Sequence, residues 1–128
     1  MKKVTLVGGC FDILHWGHIS FLKKAKAMGG KLIVALESDV NTRKLKGPGR
    51  PIHTQAQRKQ MLESLRFVDK VIILPDRPDY QKLIFQVKPD IVAVAAGGKQ
   101  NTYGVKKVVI PKVKTPSTSQ IAKLLSLE

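Results

Sequence analysis

The chain has 128 residues, of which 23 are lysine or arginine and 9 are aspartate or glutamate, so its formal net charge is +14. This length suits one domain, residues 1–128, around one core, and the single cysteine excludes a disulfide framework or a cysteine-based zinc site within one chain. The positive charge favours nucleic acid or phosphorylated metabolites as partners, and a solvated surface of a heat-adapted protein is the third interpretation.

No apolar run in the sequence is long enough to span a membrane. The apolar run near the N-terminus, within MKKVTLVGG, is also too short for the core of a signal peptide. With these features and one cysteine, we expect a cytoplasmic protein.

The first part of the chain is predicted to form a strand, a helix and a second strand. Residues 2–9, KKVTLVGG, favour a strand that ends at a glycine pair. From about Trp16 to Met28 apolar residues recur at helical spacing, and another glycine pair follows as the stop signal. Residues 31–36, KLIVAL, form a continuous apolar run, which is typical of a buried parallel strand. Residues 37–53 are predicted to be a long basic loop, because glycine and proline interrupt them.

The rest of the chain continues this alternation of strands and helices. Thr54 and Gln57 have the spacing of a capping box, which predicts that a helix begins there. A strand, a helix, two strands and a final helix capped by Ser117 are then predicted at residues 70–74, 79–88, 90–98, 105–111 and 117–127. This order predicts an α/β fold, namely a Rossmann-like, doubly wound, five-stranded parallel sheet with helices on both faces. Ligands of such a sheet bind at the carboxyl edge of its strands.

Residues 8–18, GGCFDILHWGH, have the properties of a phosphate site without being either familiar glycine motif. They match neither the dinucleotide fingerprint G-x-G-x-x-G nor the Walker A pattern. The glycines let the backbone approach a ligand closely, and a helix that begins near His15 directs its free N–H groups at that ligand. His15 and His18 lie on the same side of the first turn, where both imidazoles can donate to phosphate oxygens. The alternative for an isolated pair is a helix cap beside an ordinary surface histidine.

Residues 9–18, GCFDILHWGH, also resemble the signature G-x-F-D-x-x-H-x-G-H of the cytidylyltransferase-like nucleotidyltransferases. The resemblance covers nearly the whole chain. LESDVNTRKLKGPGRPI, QRKQMLESLRFVDKV and KPDIV are similar to the adenylyltransferase domain of bifunctional ADP-heptose synthases and to archaeal FAD synthases. HWGHI and RFVDKVI are similar to glycerol-3-phosphate cytidylyltransferase, and PKVKTPSTSQI resembles the P-R-T-x-G-I-S-T-T-x-I segment of that family.

This resemblance implies that a phosphate of an acceptor attacks the α-phosphorus of a nucleoside triphosphate and that pyrophosphate leaves. Adenylyl transfer from ATP is favoured, because SDVNTRKLKGPGRPI resembles the ADP-forming branch, and the acceptor would be a sugar phosphate or FMN. The alternative is a CTP-dependent cytidylyltransferase that acts on glycerol phosphate or a similar polyol phosphate. The resemblance also implies Mg²⁺, held mainly by phosphates and water rather than by protein ligands, and a homodimer.

The resemblance assigns roles to three groups of residues. The catalytic group is His15, His18 and Lys46. The nucleotide-binding group is Cys10, Phe11, Gly17, Gly97, Gly98, Lys112, Ser117, Thr118 and Ser119. The acceptor-binding group is Asp12, Asp39, Arg58 and Arg66.

The sequence departs from the family pattern at three positions. Lys112 stands where the cytidylyltransferase signature has arginine, and lysine lacks the bidentate geometry of a guanidinium. Gly97 and Gly98 run into Lys99, where family members often have an acidic residue, so the choice of base stays open. Cys10 replaces a more usual threonine or valine and is interpreted as a small buried side chain.

The rival from another class is a basic nucleic-acid-binding module without catalysis, which the net charge favours. Aromatic residues make up only 5% of the chain, too few for a base-stacking sheet. Neither a helix-turn-helix nor a zinc signature is present in the sequence. Binding to nucleic acid is therefore not expected.

Overall fold

The computed structural model describes residues 2–113 and 118–125. Its elements in chain order are β1 (Lys3–Gly9), α1 (Trp16–Gly29), β2 (Gly30–Leu36), α2 (Asp39–Lys46), α3 (Gln55–Glu63), β3 (Lys70–Ile73), α4 (Tyr80–Val87), β4 (Ile91–Ala95), β5 (Lys106–Ile110) and α5 (Thr118–Leu124). The five strands form one sheet in the order β3-β2-β1-β4-β5, and every neighbouring pair is parallel. The predicted α/β class with a five-stranded parallel sheet is confirmed.

Helices cover both faces of the sheet, and each face has its own apolar core. On one face, Leu22 of α1 and Leu62 of α3 pack with strand residues such as Val34. On the other face, Leu83 and Ile84 of α4 pack against the neighbouring side chains of β1, β2 and β4. Because side chains alternate between the two faces and both faces are covered, the buried positions of the central strands are mostly apolar.

Residues 39–46 form the helix α2, so the prediction of an irregular loop over 37–53 was wrong for its first half. The Ser38 side chain caps this helix by accepting a hydrogen bond from the Asn41 N–H at 3.1 Å. Gly47, at φ 102°, ends it, and three basic residues in the last turn suit the negative end of the helix dipole. Only Thr42 is buried, so the helix has no apolar stripe that periodicity could reveal.

The other predicted elements are present in the described part of the chain. The Thr54–Gln57 capping box forms with both of its hydrogen bonds, at 3.0 and 3.2 Å. The final helix is α5, while Ser117, its expected cap, lies outside the described residues. Among the helices of residues 2–113 and 118–125, none is long and apolar enough to cross a bilayer.

Asp69 ties three elements together at the amino edge of the sheet. Its Oδ2 accepts from the Leu32 N–H of β2 at 2.7 Å and from the Lys26 ammonium of α1 at 2.6 Å. Leu32 is fully buried, so its N–H has no access to water as a substitute acceptor. These contacts give Asp69 a structural role.

We therefore predict that Asp69→Ala lowers the free energy of unfolding by about 1–3 kcal/mol, because it leaves the Leu32 N–H unpaired. Lys26→Ala is the matched control, since it removes only the half-exposed ion pair and costs less than about 1 kcal/mol. Urea unfolding of both variants measures the two values. Equal losses would contradict the importance of the backbone hydrogen bond.

Candidate active site

A cleft of about 800 Å³ opens at the carboxyl edge of the sheet. It is lined by the end of β1, the start of α1, the end of α2, the helix α4 and the segments that follow β4 and β5. The chain leaves β1 for β2 on one side and enters β4 on the other, so the topological switch point lies beside β1. That is the position where open parallel sheets bind their ligands.

The cleft brings together all three predicted catalytic residues and several of the predicted nucleotide-binding residues. Those in its lining are Cys10, Phe11, His15, Gly17, His18, Lys46 and Lys112. Gly97 and Gly98 are not in the lining and instead form the turn after β4. Gly97 has φ 83°, which favours glycine, and the Gly98 N–H donates to the Ala95 carbonyl at 3.0 Å.

His15 and His18 form the capping box of α1. The Gly17 N–H donates to Nδ1 of His15 at 3.0 Å, and the His15 N–H donates to Nδ1 of His18 at 3.3 Å. Since both Nδ1 atoms accept, this pattern assigns the proton of each neutral ring to Nε2. The two rings lie 4.1 Å apart, centroid to centroid. Within the part of the chain that the structure describes, neither Nε2–H group has a hydrogen-bond partner, so both are left for a ligand, and the cap and the ligand-binding interpretations of the pair are compatible.

Burial keeps the two imidazoles uncharged. Burial first, and then the neighbouring His15 and Lys46, together lower the pKa of His18 to about 4, against an opposing effect of Asp12. Burial also lowers the pKa of His15. At neutral pH the site thus presents two uncharged donors, and the positive charge beside them comes from Lys46.

Cys10 and Phe11 supply the floor of the site rather than reactive groups. The Phe11 ring is buried and packs against the His18 ring at 5.5 Å between centroids. Burial raises the pKa of the Cys10 thiol, which keeps the thiol protonated at neutral pH. The interpretation of Cys10 as a small buried side chain agrees with this placement.

Asp12 lines the cleft, but its carboxylate is committed to the protein itself. It forms a buried ion pair with Arg50, with 2.8 Å between Oδ2 and Nε, and it accepts from the N–H groups of Ile52 and His53 at 2.7 and 3.0 Å. Burial raises the pKa of Asp12, but these hydrogen bonds and the guanidinium charge outweigh it, so the pKa is lowered overall. In this structure the Asp12 carboxylate is fully buried and holds residues 50–53 against the motif loop, which differs from the contact with an acceptor expected for it.

Arg50 extends this ion pair toward α5. Its guanidinium lies 3.5 Å from the Ser119 Oγ, which brings the first turn of α5 next to the buried pair. Ser119 is thereby placed beside the motif loop at the carboxyl edge of the sheet. Thr118 begins the same helix, and Ser117 lies outside the described residues.

Arg58 is fully buried and has no surface to offer an acceptor, contrary to expectation. Its guanidinium donates to the carbonyl oxygens of Cys10, Glu37 and His53 at 2.7, 2.9 and 3.0 Å, and to Asp39 Oδ1 at 2.8 Å. It therefore joins the ends of β1 and β2 to the segments that begin α2 and α3. Asp39 is its ion-pair partner and is likewise outside the lining of the cleft.

Arg66 is the one predicted acceptor residue that lies at the opposite edge of the sheet. It is exposed and precedes β3, so it sits where the parallel strands begin rather than where they end. Within a single chain, the structure does not bring it to the cleft.

Glu37 and Tyr80 line the cleft, although sequence analysis did not select them. The Glu37 carboxylate is buried and accepts from the Tyr80 hydroxyl at 2.7 Å and from the Asn41 side-chain amide. Burial and the Glu37 carboxylate raise the pKa of Tyr80, so its hydroxyl stays a donor. The only sequence signal was an acidic residue directly after a buried strand.

The described residues contain no cluster of three or more histidine, cysteine, aspartate or glutamate side chains suited to hold a metal ion. A hard cation such as Mg²⁺ commonly binds through substrate phosphates, water and one or two carboxylates. This donor set is compatible with that mode of binding and does not supply a dedicated protein cage.

The low pKa of His18 predicts that its imidazole stays neutral until the pH falls to about 4. In the unfolded chain the same group has a pKa of about 6.5. Its neutral form therefore contributes stability that is fully present above about pH 6.5 and is lost as the pH falls toward 4. NMR of the imidazole nitrogens should show the Nε2–H tautomer at pH 6, and His18→Asn should flatten the loss of stability between pH 6.5 and 4. An imidazole that titrates near pH 6.5 in the folded protein would contradict this electrostatic picture.

Comparison with known proteins matches this geometry to a family. Residues 6–113 match the family model described as cytidylyltransferase-like. The chain is 43% identical over 108 residues to the bifunctional protein HldE of Pseudomonas putida, strain F1, and 47% identical over 98 residues to that of Campylobacter jejuni subsp. doylei. These alignments cover 84% and 77% of this chain but 22% and 21% of the relatives, so the chain spans about a fifth of their length.

Solved structures agree with these matches. The lipopolysaccharide core biosynthesis protein from Thermoplasma volcanium superposes with a TM-score of 0.75 at 27% identity, over 90% of this chain and 99% of that one. The pantoate-beta-alanine ligase from Francisella tularensis, at 20% identity and a TM-score of 0.64 over 90% of this chain and 61% of the ligase, shares the fold. The family predicted from the motif is confirmed, and the chain belongs to the cytidylyltransferase-like family.

Proposed function

We propose that this chain is a nucleotidyltransferase that transfers AMP from ATP to a phosphate-bearing acceptor and releases pyrophosphate. The observation that carries the proposal is the pair of uncharged imidazoles at the switch point, each with its Nδ1 used in the helix cap and its Nε2–H free. The nucleotidyltransferase class is that of the family. AMP is chosen because the sequence is similar to the adenylyltransferase domain of bifunctional ADP-heptose synthases and is 43% identical over 108 residues to HldE.

The reaction needs positioned donors rather than a protein nucleophile. An oxygen of the acceptor phosphate bonds to the α-phosphorus, and the bond from that phosphorus to the β-phosphate oxygen breaks, so the negative charge moves onto pyrophosphate. Donors fixed before the reaction stabilise that charge without reorganising. In this proposal the Nε2–H groups of His15 and His18 are those donors, and the capping box sets their orientation.

Lys46 is proposed to neutralise the α-phosphate and the incoming phosphate. It ends α2, where it lines the cleft, and its charge lowers the pKa values of both His18 and Cys10. Because charge–charge interactions weaken with distance, this dual effect supports a position between the imidazoles and the end of β1. Gly17 is proposed to pack under the base or ribose, and the backbone at Cys10 and Phe11 to line the α-phosphate.

The β- and γ-phosphates are proposed to bind the hydroxyl groups of Ser117, Thr118 and Ser119, together with Lys112. The contact of Ser119 with Arg50 and the place of Lys112 in the cleft lining support this arrangement. Mg²⁺ is proposed to arrive on the triphosphate, held by phosphates and water. The homodimer expected from the resemblance stays a prediction.

We expect the protein to release pyrophosphate from ATP in the presence of Mg²⁺ and the right acceptor. His18→Ala should slow this release by about 10²–10³-fold, because it removes one donor to the developing charge. The assay pairs ATP or CTP with a panel of sugar 1-phosphates, glycerol 3-phosphate, FMN and phosphoethanolamine. Circular dichroism checks that the variant is folded. Faster release with CTP would favour the cytidylyltransferase alternative, and near-normal turnover of His18→Ala would remove His18 from the mechanism.

Thermal unfolding separates the enzyme from the nucleic-acid-binding rival without any acceptor. A triphosphate at ~100 times its dissociation constant should stabilise the fold by ~2.7 kcal/mol. Stabilisation by oligonucleotides alone, lost steeply with added salt, would instead support the rival.

Lys46→Ala should reduce pyrophosphate release by at least about tenfold, because it removes the cation beside the reacting phosphate. Lys44→Ala is the matched control, since it removes the same charge from an exposed position on the same helix and outside the cleft lining. Both turnover rates are measured at the same ionic strength. Equal rates in the two variants would assign the effect to net charge alone.

A further inference from the structure

Glu37 is a buried carboxylate in the cleft that the proposed chemistry leaves without a task. It directly follows β2, and its N–H donates to the Gly9 carbonyl of β1 at 2.9 Å, so it is held beside the motif loop. The residue is only 4% exposed, yet it belongs to the lining of the cleft. Burying a carboxylate costs free energy unless hydrogen bonds replace its water.

The groups that replace that water are uncharged donors from two different elements. The Tyr80 hydroxyl reaches Oε1 from α4, which lies on one face of the sheet, and the Asn41 amide reaches Oε2 from α2. In the part of the chain that the structure describes, Glu37 forms no ion pair with a lysine, arginine or histidine. A carboxylate has about four acceptor positions, so these two donors hold its orientation and leave capacity for a ligand.

Glu37 and Lys46 line the same cleft, and Cys10 at the end of β1 lines it with them. Glu37 raises the pKa of Cys10 and Lys46 lowers it, so both act on the same atom at the end of β1. An acceptor whose phosphate is paired with Lys46 would therefore extend its remaining groups toward Glu37. A carboxylate repels phosphate and accepts hydrogen bonds from hydroxyl groups.

We propose, resting on the proposed function, that Glu37 determines acceptor specificity by accepting hydrogen bonds from hydroxyl groups of a phosphorylated sugar or polyol, with Tyr80 and Asn41 holding it in place. Tyr80 is a positioning residue in this assignment, and its hydroxyl donates to Oε1 of Glu37. A buried carboxylate with an unfilled acceptor position penalises any acceptor that lacks the matching hydroxyl, which is the usual source of strong discrimination.

The test compares the wild type, Glu37→Gln, Tyr80→Phe and the control Glu63→Gln with the fastest acceptor of the panel. Glu63 ends α3 and is exposed, outside the cleft lining. We expect Glu37→Gln to raise the KM for the acceptor by ~10-fold or more and to leave the KM for ATP within about twofold. The control Glu63→Gln should change neither of these two KM values. Tyr80→Phe should raise the KM for the acceptor in the same direction by a smaller factor.

Deoxy analogues of the acceptor identify the hydroxyl group that is read. Removing that hydroxyl should raise the KM in the wild type about as much as Glu37→Gln does, and should add little in the variant, because interacting groups are not additive. If Glu37→Gln does not fold, as judged by circular dichroism, the deoxy series with the wild type and Tyr80→Phe gives the same comparison.

Two kinds of failure are distinguishable. Absence of pyrophosphate release with every acceptor and triphosphate overturns the proposed function, and this assignment falls with it. Release that is intact while Glu37→Gln leaves the acceptor KM unchanged overturns only the assignment of Glu37. The assignment of Glu37 is also overturned if Glu37→Gln instead shifts the Mg²⁺ concentration for half-maximal rate, or if phosphoethanolamine is the preferred acceptor.

Discussion

The cleft depends on the buried guanidinium of Arg58. This one group donates hydrogen bonds to the backbone carbonyls that follow β1 and β2 and to the carbonyl of His53 before α3, and it pairs with the first residue of α2. Parallel strands end in loops whose polar groups have no sheet partner, and burying them unpaired is costly. A planar cation with five fixed donors can satisfy several such oxygens at once. Arg58 thus converts the loose carboxyl edge of the sheet into a fixed platform.

The Asp12–Arg50 pair fixes the same edge of the sheet through a second set of contacts. Arg58 joins elements that are neighbours in the sheet, whereas Arg50 links the motif loop to α5, whose residues are far away along the chain. The Asp12–Arg50 pair is buried on both sides, and Arg58 is buried beside a partly exposed Asp39, so removing a carboxylate would leave an uncompensated guanidinium charge in a region of low dielectric constant. These pairs are therefore weak evidence for net stability but good evidence for fixed geometry, which is what a site made of positioned donors requires.

The parts of the fold that were predictable are those with local signals. The apolar run of β2, the Thr54–Gln57 box and the signature at residues 9–18 each span a few residues, and each is confirmed. Helix α2 was missed because its stability comes from end caps and from the Arg58–Asp39 contact rather than from an apolar stripe. Contacts between distant residues have no local pattern, so sequence alone could not tell that Arg58 is buried and Lys46 exposed.

The acceptor-binding assignments show the same limit at the site. Asp12 and Arg58 are charged residues, and in the sequence they look the same whether they face a ligand or bind backbone groups of the protein itself. Glu37, which does line the cleft, was indistinguishable from a solvated residue after a strand, because its burial depends on Tyr80 from another helix. Charge identifies candidates, and tertiary packing decides which of them remain available.

The imidazoles can be uncharged in a chain of net charge +14 because long-range attraction and local hydrogen bonding come from different groups. Long-range attraction of a triphosphate depends on the summed surface charge and does not require a charge on any one group. Two protonated rings 4.1 Å apart would repel each other and Lys46, and burial would add to that cost. Neutral rings avoid this and, with Nδ1 used in the cap, each presents one donor in one orientation. The low pKa of His18 is thus a consequence of the same packing that makes the donors precise, while Lys46 in the cleft and the summed surface charge attract the anion.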